Sequence, residues 1–173
     1  MRELANRALI ERFMDALGNT ATSGVRIYLV GGTTAVLMGW RASTIDVDMV
    51  MQPEDETLLR AIPGLKNSLR INVELVSPAH FIPVPPGWEG RSTFIRDVRR
   101  VAFYHFDLYA QALAKVERGH RQDLEDVRAM LERSLIDPRH ALEYFQWIEP
   151  ALYRFPAIDP ASFRRGAEEI FAE

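Results

Sequence analysis

Asp46 and Asp48 stand two residues apart in a run that otherwise alternates with the apolar side chains Ile45, Val47 and Met49. Extended backbone sends alternate side chains to one face, so a strand here presents both carboxylates together, about 7 Å apart along the chain. Two acids on one face repel, and burial makes that costly unless a cation is held between them. Mg²⁺ or Mn²⁺ suits such a pair, because it takes hard oxygen ligands and keeps several waters. The same D-x-D pattern also arises on an ordinary solvent-facing strand, so the pair needs context.

Part of that context is Gly31-Gly32, which precedes Asp46 by 46 − 32 = 14 residues and breaks the β-rich run Val25-Arg26-Ile27-Tyr28-Leu29-Val30. A strand–Gly-Gly–helix turn lets backbone approach a phosphate and points amides at it, so phosphate-binding amides and metal-binding carboxylates would face one cleft. A tight turn needing positive φ explains the glycines equally well. Glu74, between Val73 and Leu75, supplies a third acid on another strand. If the two strands are neighbours, a three-carboxylate cluster forms; otherwise Glu74 is an outward-facing strand glutamate. Further along, Lys115 is one of 2 lysines in a chain whose other 19 cationic side chains are arginines. A compact ammonium suits phosphate oxygens, although Lys115 and Arg118 also fit a solvated helix face. Asp123 and Asp126 likewise fit the first turns of a helix, favoured by its dipole.

Taken together, Gly31-Gly32-Thr33-Thr34-Ala35 and Gly39-Trp40-Arg41-Ala42-Ser43-Thr44-Ile45-Asp46-Val47-Asp48 resemble the signature of the DNA-polymerase-β-like nucleotidyltransferase superfamily. The similarity looks closest to small bacterial members related to the AbiEii-type abortive-infection toxins. Those relatives pair a lysine with a later R-D-x-x-D, which Lys115-Val116-Glu117-Arg118 and Arg121-Gln122-Asp123-Leu124-Glu125-Asp126 resemble. The resemblance spans roughly Tyr28 to Leu131. It implies a mixed sheet and metal-dependent transfer of a nucleoside monophosphate from an NTP to an acceptor hydroxyl, releasing pyrophosphate.

The implied metal ligands are Asp46, Asp48 and Glu74, with Lys115 reaching the triphosphate. Gly31, Gly32, Thr33, Arg41, Ser43, Asp123 and Asp126 complete the implied nucleotide site. Many members place serine after the first glycine, where this chain has Gly32; a hydroxyl for the phosphates would then come from Thr33 or Ser43. The implied acceptor is an RNA or tRNA 3′ end or a protein side chain, in a toxin–antitoxin or phage-defence setting with a cognate antitoxin. A small-molecule acceptor is the enzymatic alternative. A nucleotidyltransferase-like module that only binds RNA or protein is the non-enzymatic one.

These residues need elements to position them. Periodicity predicts helices over Glu3–Leu17, Thr33–Trp40 and Glu54–Ile62, the last opened by Pro53 and acidic residues. Strands are predicted over Val25–Val30, Ile45–Met51, Leu69–Val76 and Arg99–Phe106. Pro78 to Trp88, with four prolines, reads as irregular connection. From Asp107 the period becomes helical, with stripes at Leu108, Ala112, Leu113, Val116 and at Leu124, Val127, Met130, Leu131. Two more helices follow over Pro138–Ile148 and Pro160–Phe171. Strands interleaved with helices and then a helical tail give an α/β (α+β) core over residues 1–106 and a helical C-terminal region over 107–173 packed on it as a single compact unit. The aromatics Trp88, Tyr144, Phe145 and Trp147 read as core or partner contacts, and His105 as the histidine with most burial.

The composition frames all this. A chain of 173 residues with 47% hydrophobic and 26% charged content suits one soluble domain. The absence of cysteine excludes disulfides, thiolate chemistry and Cys-ligated zinc. A net charge of −3 argues against a generally basic nucleic-acid binder, although residues 91–128 carry 8 basic and 6 acidic side chains. The four histidines lack the H-E-x-x-H spacing of a zinc site. No run approaches a membrane span and no signal-peptide core opens the chain, so a cytoplasmic protein that meets no membrane is expected.

Overall fold

The computed structural model describes residues 2–172. The chain divides into two compact units: the N-terminal segment through Ser77 with Ser92–Phe106, and Pro78–Arg91 with the chain from Asp107 onward.

The first unit opens with a two-residue strand, β1 (Ala5–Asn6), and helix α1 (Arg7–Thr20). The Asn6 side chain accepts from the Leu9 amide at 2.9 Å, satisfying one of the donors a helix start leaves without an internal partner. The cap therefore sets the helix start at Arg7 rather than Glu3. Ile10, Phe13, Met14 and Leu17 fall on one face and are buried. Strand β2 (Val25–Val30) is buried at every position but Arg26. Helix α2 (Gly32–Met38), strands β3 (Ser43–Thr44) and β4 (Asp46–Gln52), helix α3 (Glu56–Leu69) and strand β5 (Asn72–Leu75) follow. Two more strands, β6 (Thr93–Val98) and β7 (Val101–His105), complete the unit.

The five-stranded sheet runs β5-β4-β2-β7-β6 and is mixed: β2 is antiparallel to β4 and parallel to β7, β4 is parallel to β5, and β6 is antiparallel to β7. β1 pairs separately with β3. Along β4 the pleat sends Val47, Met49 and Met51 into the core with Phe13, Leu17, Leu58 and Ile62 of α1 and α3. Asp46, Asp48 and Val50 take the opposite face, beside Tyr28 and Val30 of β2. The apolar alternation thus fixes where the acids point, since slipping the register by one residue would bury both carboxylates among methyl groups.

Other elements also differ from expectation. Helix α3 runs through Pro63 to Leu69 instead of ending at Ile62. A proline inside a helix costs about 3 kcal/mol, and packing of Leu65 and Leu69 against the core offsets that loss. Strands β1, β3 and β6 are additions.

The second unit is helical: α4 (Trp88–Arg91), α5 (Leu108–Arg118), α6 (Arg121–Glu132), α7 (Pro138–Ile148) and α8 (Pro160–Phe171), with 3-10 turns at Pro78–His80 and Glu149–Arg154. α7 and α8 both begin with Asp-Pro: Asp137 and Asp159 cap the backbone amides, and proline fills the first helical position, where its missing N–H costs nothing. Phe145 and Phe163 meet edge-on at 4.8 Å between them. Arg91 ties residues 85–91 to α5, donating to Asp107 at 2.8 and 3.0 Å and to the carbonyls of Pro85 and Pro86. Its guanidinium also lies over the Tyr144 ring. Trp147 points outward at 68% exposure, so it is no part of the core.

Candidate active site

Register brings the three acids together. β4 and β5 pair with Asp46 opposite Asn72 and Asp48 opposite Glu74, so all four side chains share one sheet face. One oxygen from each of Asp46, Asp48 and Glu74 lies within 4.8 Å of the others. The Asn72 amide sits among them, donating to Asp46 Oδ1 at 2.6 Å and to Glu74 Oε1 at 3.3 Å. That amide screens part of the carboxylate repulsion and holds Asp46 and Glu74 close.

The donor set fits a divalent cation. It consists of three hard oxygens, and opposite ligands of an octahedral Mg²⁺ lie about 4 Å apart, so small side-chain rotations close the cluster onto one ion. Carboxylate-only ligation excludes a preference for soft metals.

The glycine turn meets this cluster. Gly31 adopts φ +67, a left-handed conformation that other residues rarely take, and a Cβ built there would lie 3.4 Å from Asp48 Oδ2. Positive φ therefore accounts for glycine at this position, which also closely approaches a carboxylate. Gly32 differs, because its φ is unexceptional and space is the constraint. A Cβ there would fall 2.7 Å from Arg41 Nη1 and 2.8 Å from Thr44 Cβ, and closer still to Thr44 Oγ1. Arg41 and Ser43, both half-buried, belong to the segment that covers this turn. Thr33 is fully buried, and its hydroxyl makes no hydrogen bond among the described residues.

Behind the turn, Thr34 is held from two sides. Its hydroxyl donates to the Leu29 carbonyl at 3.2 Å and lies 3.0 Å from His105 Nδ1. With the hydroxyl proton committed to Leu29, the His105 tautomer that fits carries its proton on Nδ1 and donates to Thr34. Burial lowers the His105 pKa to about 4, helped by the Arg7 charge, so the ring is neutral near pH 7. Arg7 in turn donates to the Leu37 and Val36 carbonyls at the far end of α2.

The helical unit gathers the other predicted residues. Lys115 Nζ donates to Asp126 Oδ2 at 2.7 Å and stands 3.9 Å from Asp123 Oδ1, all three side chains being under 10% exposed. Arg118 Nε donates to Asp123 Oδ2 at 2.8 Å, and the His120 amide to the same oxygen at 3.2 Å. Burial acts to raise the Asp123 carboxyl, but the Arg118 hydrogen bonds, the Lys115 charge and the His120 amide outweigh it and hold the pKa below the usual carboxylate value. The predicted residues thus form two groups, each within its own unit: Asp46, Asp48 and Glu74 with Gly31, and Lys115 with Asp123 and Asp126.

A family model described as "Nucleotidyltransferase of unknown function (DUF6036)" matches residues 8–141. The chain belongs to that family. This nucleotidyltransferase match covers β2 through α6 and so includes every acid of the cluster and the Lys115 group. Among solved structures, an antigenic nucleotidyltransferase-like protein from Paracoccidioides brasiliensis is similar at TM-score 0.47 and 15% identity, over 99% of this chain and 100% of that one. No curated protein matches the chain. Among the described residues, no helix is long and apolar enough to cross a membrane.

Sequence reasoning missed Asn72 and Thr44. Asn72 precedes Glu74 by the same two-residue step that links Asp46 to Asp48, so the strand period was a usable signal. Thr44 lies on the separate strand β3, with Ile45 in a bend before Asp46, so the period of β4 does not reach it.

Proposed function

We propose that this chain transfers a nucleoside monophosphate from an NTP to an acceptor hydroxyl. The convergence of Asp46, Asp48 and Glu74 within 4.8 Å, with Gly31 against Asp48, carries the reading. Clustering three carboxylates costs stability, and a bound cation is the compensation that makes physical sense of it. These three side chains would hold Mg²⁺ or Mn²⁺, which when bound neutralises polyphosphate charge and makes an acceptor hydroxyl more acidic.

The chain's own residues supply the rest. Gly31 and Gly32 let backbone lie close to the phosphates, Arg41 and Ser43 contribute charge and a hydroxyl, and buried Thr33 packs beneath. Glu74, on the outer strand, would accept the acceptor's proton. The acceptor oxygen then bonds to the α-phosphorus, the bond from that phosphorus to the β-phosphate bridging oxygen breaks, and pyrophosphate leaves with those electrons. Positioning and charge neutralisation do most of the work in phosphoryl transfer. Lys115 with Asp123 and Asp126 forms its own buried group within the helical unit, and the reading does not depend on it.

The similarity to AbiEii-type toxins supports an RNA or tRNA 3′ end, or a protein hydroxyl, as acceptor, and a toxin paired with an antitoxin as the setting. The test is incubation of the protein with each α-labelled NTP, Mg²⁺ or Mn²⁺, and in turn total tRNA, protein extract or a panel of small hydroxyl compounds. Label transfer that disappears in Asp48→Ala is expected, with a loss of at least about a hundredfold, comparable to removing a key electrostatic contact. Label transfer that survives the substitution overturns the reading.

A further inference from the structure

Position 32 of the glycine turn lacks a side chain for a reason the backbone does not provide. Its neighbour Gly31 has positive φ, but Gly32 does not. What excludes a side chain is occupancy: the Thr44 hydroxyl and β-carbon and the Arg41 guanidinium already fill the space where a Cβ would go. Thr44 lies on the two-residue strand β3, which β1 holds by pairing with it at Ala5 and Asn6. Its hydroxyl donates to the Asp46 carbonyl at 3.1 Å, so the same side chain touches both the turn and the first residue of the acid strand.

We infer that Thr44 supplies the phosphate-directed hydroxyl of this site, in place of a side chain at position 32. The inference rests on the nucleotidyltransferase reading and refines it, since Thr33 is buried while Thr44 is half-buried at the turn surface. Arg41 lies at the same point, so a hydroxyl donor and a guanidinium converge over Gly32 while Asp48 flanks Gly31. A hydroxyl rotates to suit its partner, so Thr44 exchanges its bond to the Asp46 carbonyl for one to a phosphate oxygen. A phosphate acceptor is charged, and bonds to charged groups are the stronger ones. The arrangement also makes positions 32 and 44 mutually exclusive: the turn holds a side chain from one or from the other.

The experiment is calorimetric titration of the full chain with a non-hydrolysable NTP analogue in Mg²⁺. Thr44→Val keeps the shape and removes the hydroxyl; we expect about tenfold weaker binding with an unchanged circular dichroism spectrum, and wild-type affinity for Thr44→Ser. Gly32→Ser alone collides with Thr44 and loses binding or folding. Gly32→Ser combined with Thr44→Gly removes the collision with Thr44, leaves only the end of the flexible Arg41 side chain to move aside, restores a hydroxyl at the turn, and binds more tightly than Thr44→Gly alone. Wild-type affinity in Thr44→Val overturns the assignment while leaving the nucleotidyltransferase reading intact. If the wild-type protein binds no NTP analogue, both fall. A double variant no better than Thr44→Gly overturns the exchange of positions.

Discussion

At the scale of single residues, His105 shows how the site's support carries a measurable cost. The ring is buried at the end of β7 and donates to Thr34, and burial with the Arg7 charge brings its pKa from 6.5 to about 4. The unfolded chain therefore takes up a proton below pH 6.5 that the folded chain refuses until about pH 4. Stability present above pH 6.5 is lost as the pH falls through that window, because the unfolded state binds more protons there. Between pH 7 and pH 4.5 the loss from this one group is roughly 2 kcal/mol. His105→Gln keeps a donor for Thr34 without a titrating ring. Urea denaturation at the two pH values should show the wild-type protein losing roughly 2 kcal/mol more than the variant. Equal losses would mean that the ring accepts a proton in the folded state.

At the scale of elements, the Lys115 group shows what a buried charge network does for two helices. Lys115 on α5 pairs with Asp126 on α6, and Arg118 with Asp123, so the helices are joined by charge as well as by Val116, Val127 and Met130. Removing one partner strands a buried charge at a cost of about 3–5 kcal/mol, whereas replacing both with apolar groups is often near neutral. Lys115→Met is therefore expected to lower stability by about 3 kcal/mol or more, and Lys115→Met with Asp126→Leu to recover most of it by chemical denaturation. No recovery in the double variant would mean that the pair does not brace the two helices.

Elements also show what the sequence could reveal. β2 and β4 are legible because their burial is one-sided or complete: Val47, Met49 and Met51 alternate cleanly against Asp46 and Asp48. β6 is not. It is an edge strand, none of whose residues is buried, and its pairing slips between Phe94 and Arg96, so no apolar period marks it. The end of α3 is not legible, because Pro63 is a local stop signal that Leu65 and Leu69, packing from a distance, override. The acid cluster was legible as a condition, since spacing gave each acid its face. Whether β4 and β5 are neighbours is a long-range pairing that no local pattern encodes.

At the scale of the whole molecule, the cluster sets a trade between stability without ligand and stability with it. Three carboxylates within 4.8 Å repel when no cation is bound, and the Asn72 amide offsets only part of that. Neutralising one of them should leave the ligand-free protein no less stable, a common pattern where function needs a strained site. Ligand reverses the balance by mass action: at a hundred times its Kd, a nucleotide–metal complex adds about 2.7 kcal/mol to the folded state. For a chain of 173 residues, each kcal/mol moves the melting temperature by about 2–4 °C, giving a shift of roughly 5–10 °C. Scanning calorimetry with Mg²⁺ and NTP should show this shift in the wild-type protein. Asp48→Asn should show none, with a ligand-free melting temperature equal to or above that of the wild type. The chain has two compact units, so two transitions are a real outcome, and then the one that moves must be the unit holding Asp46, Asp48 and Glu74. A ligand shift that persists in Asp48→Asn would mean the nucleotide binds somewhere other than at the acids.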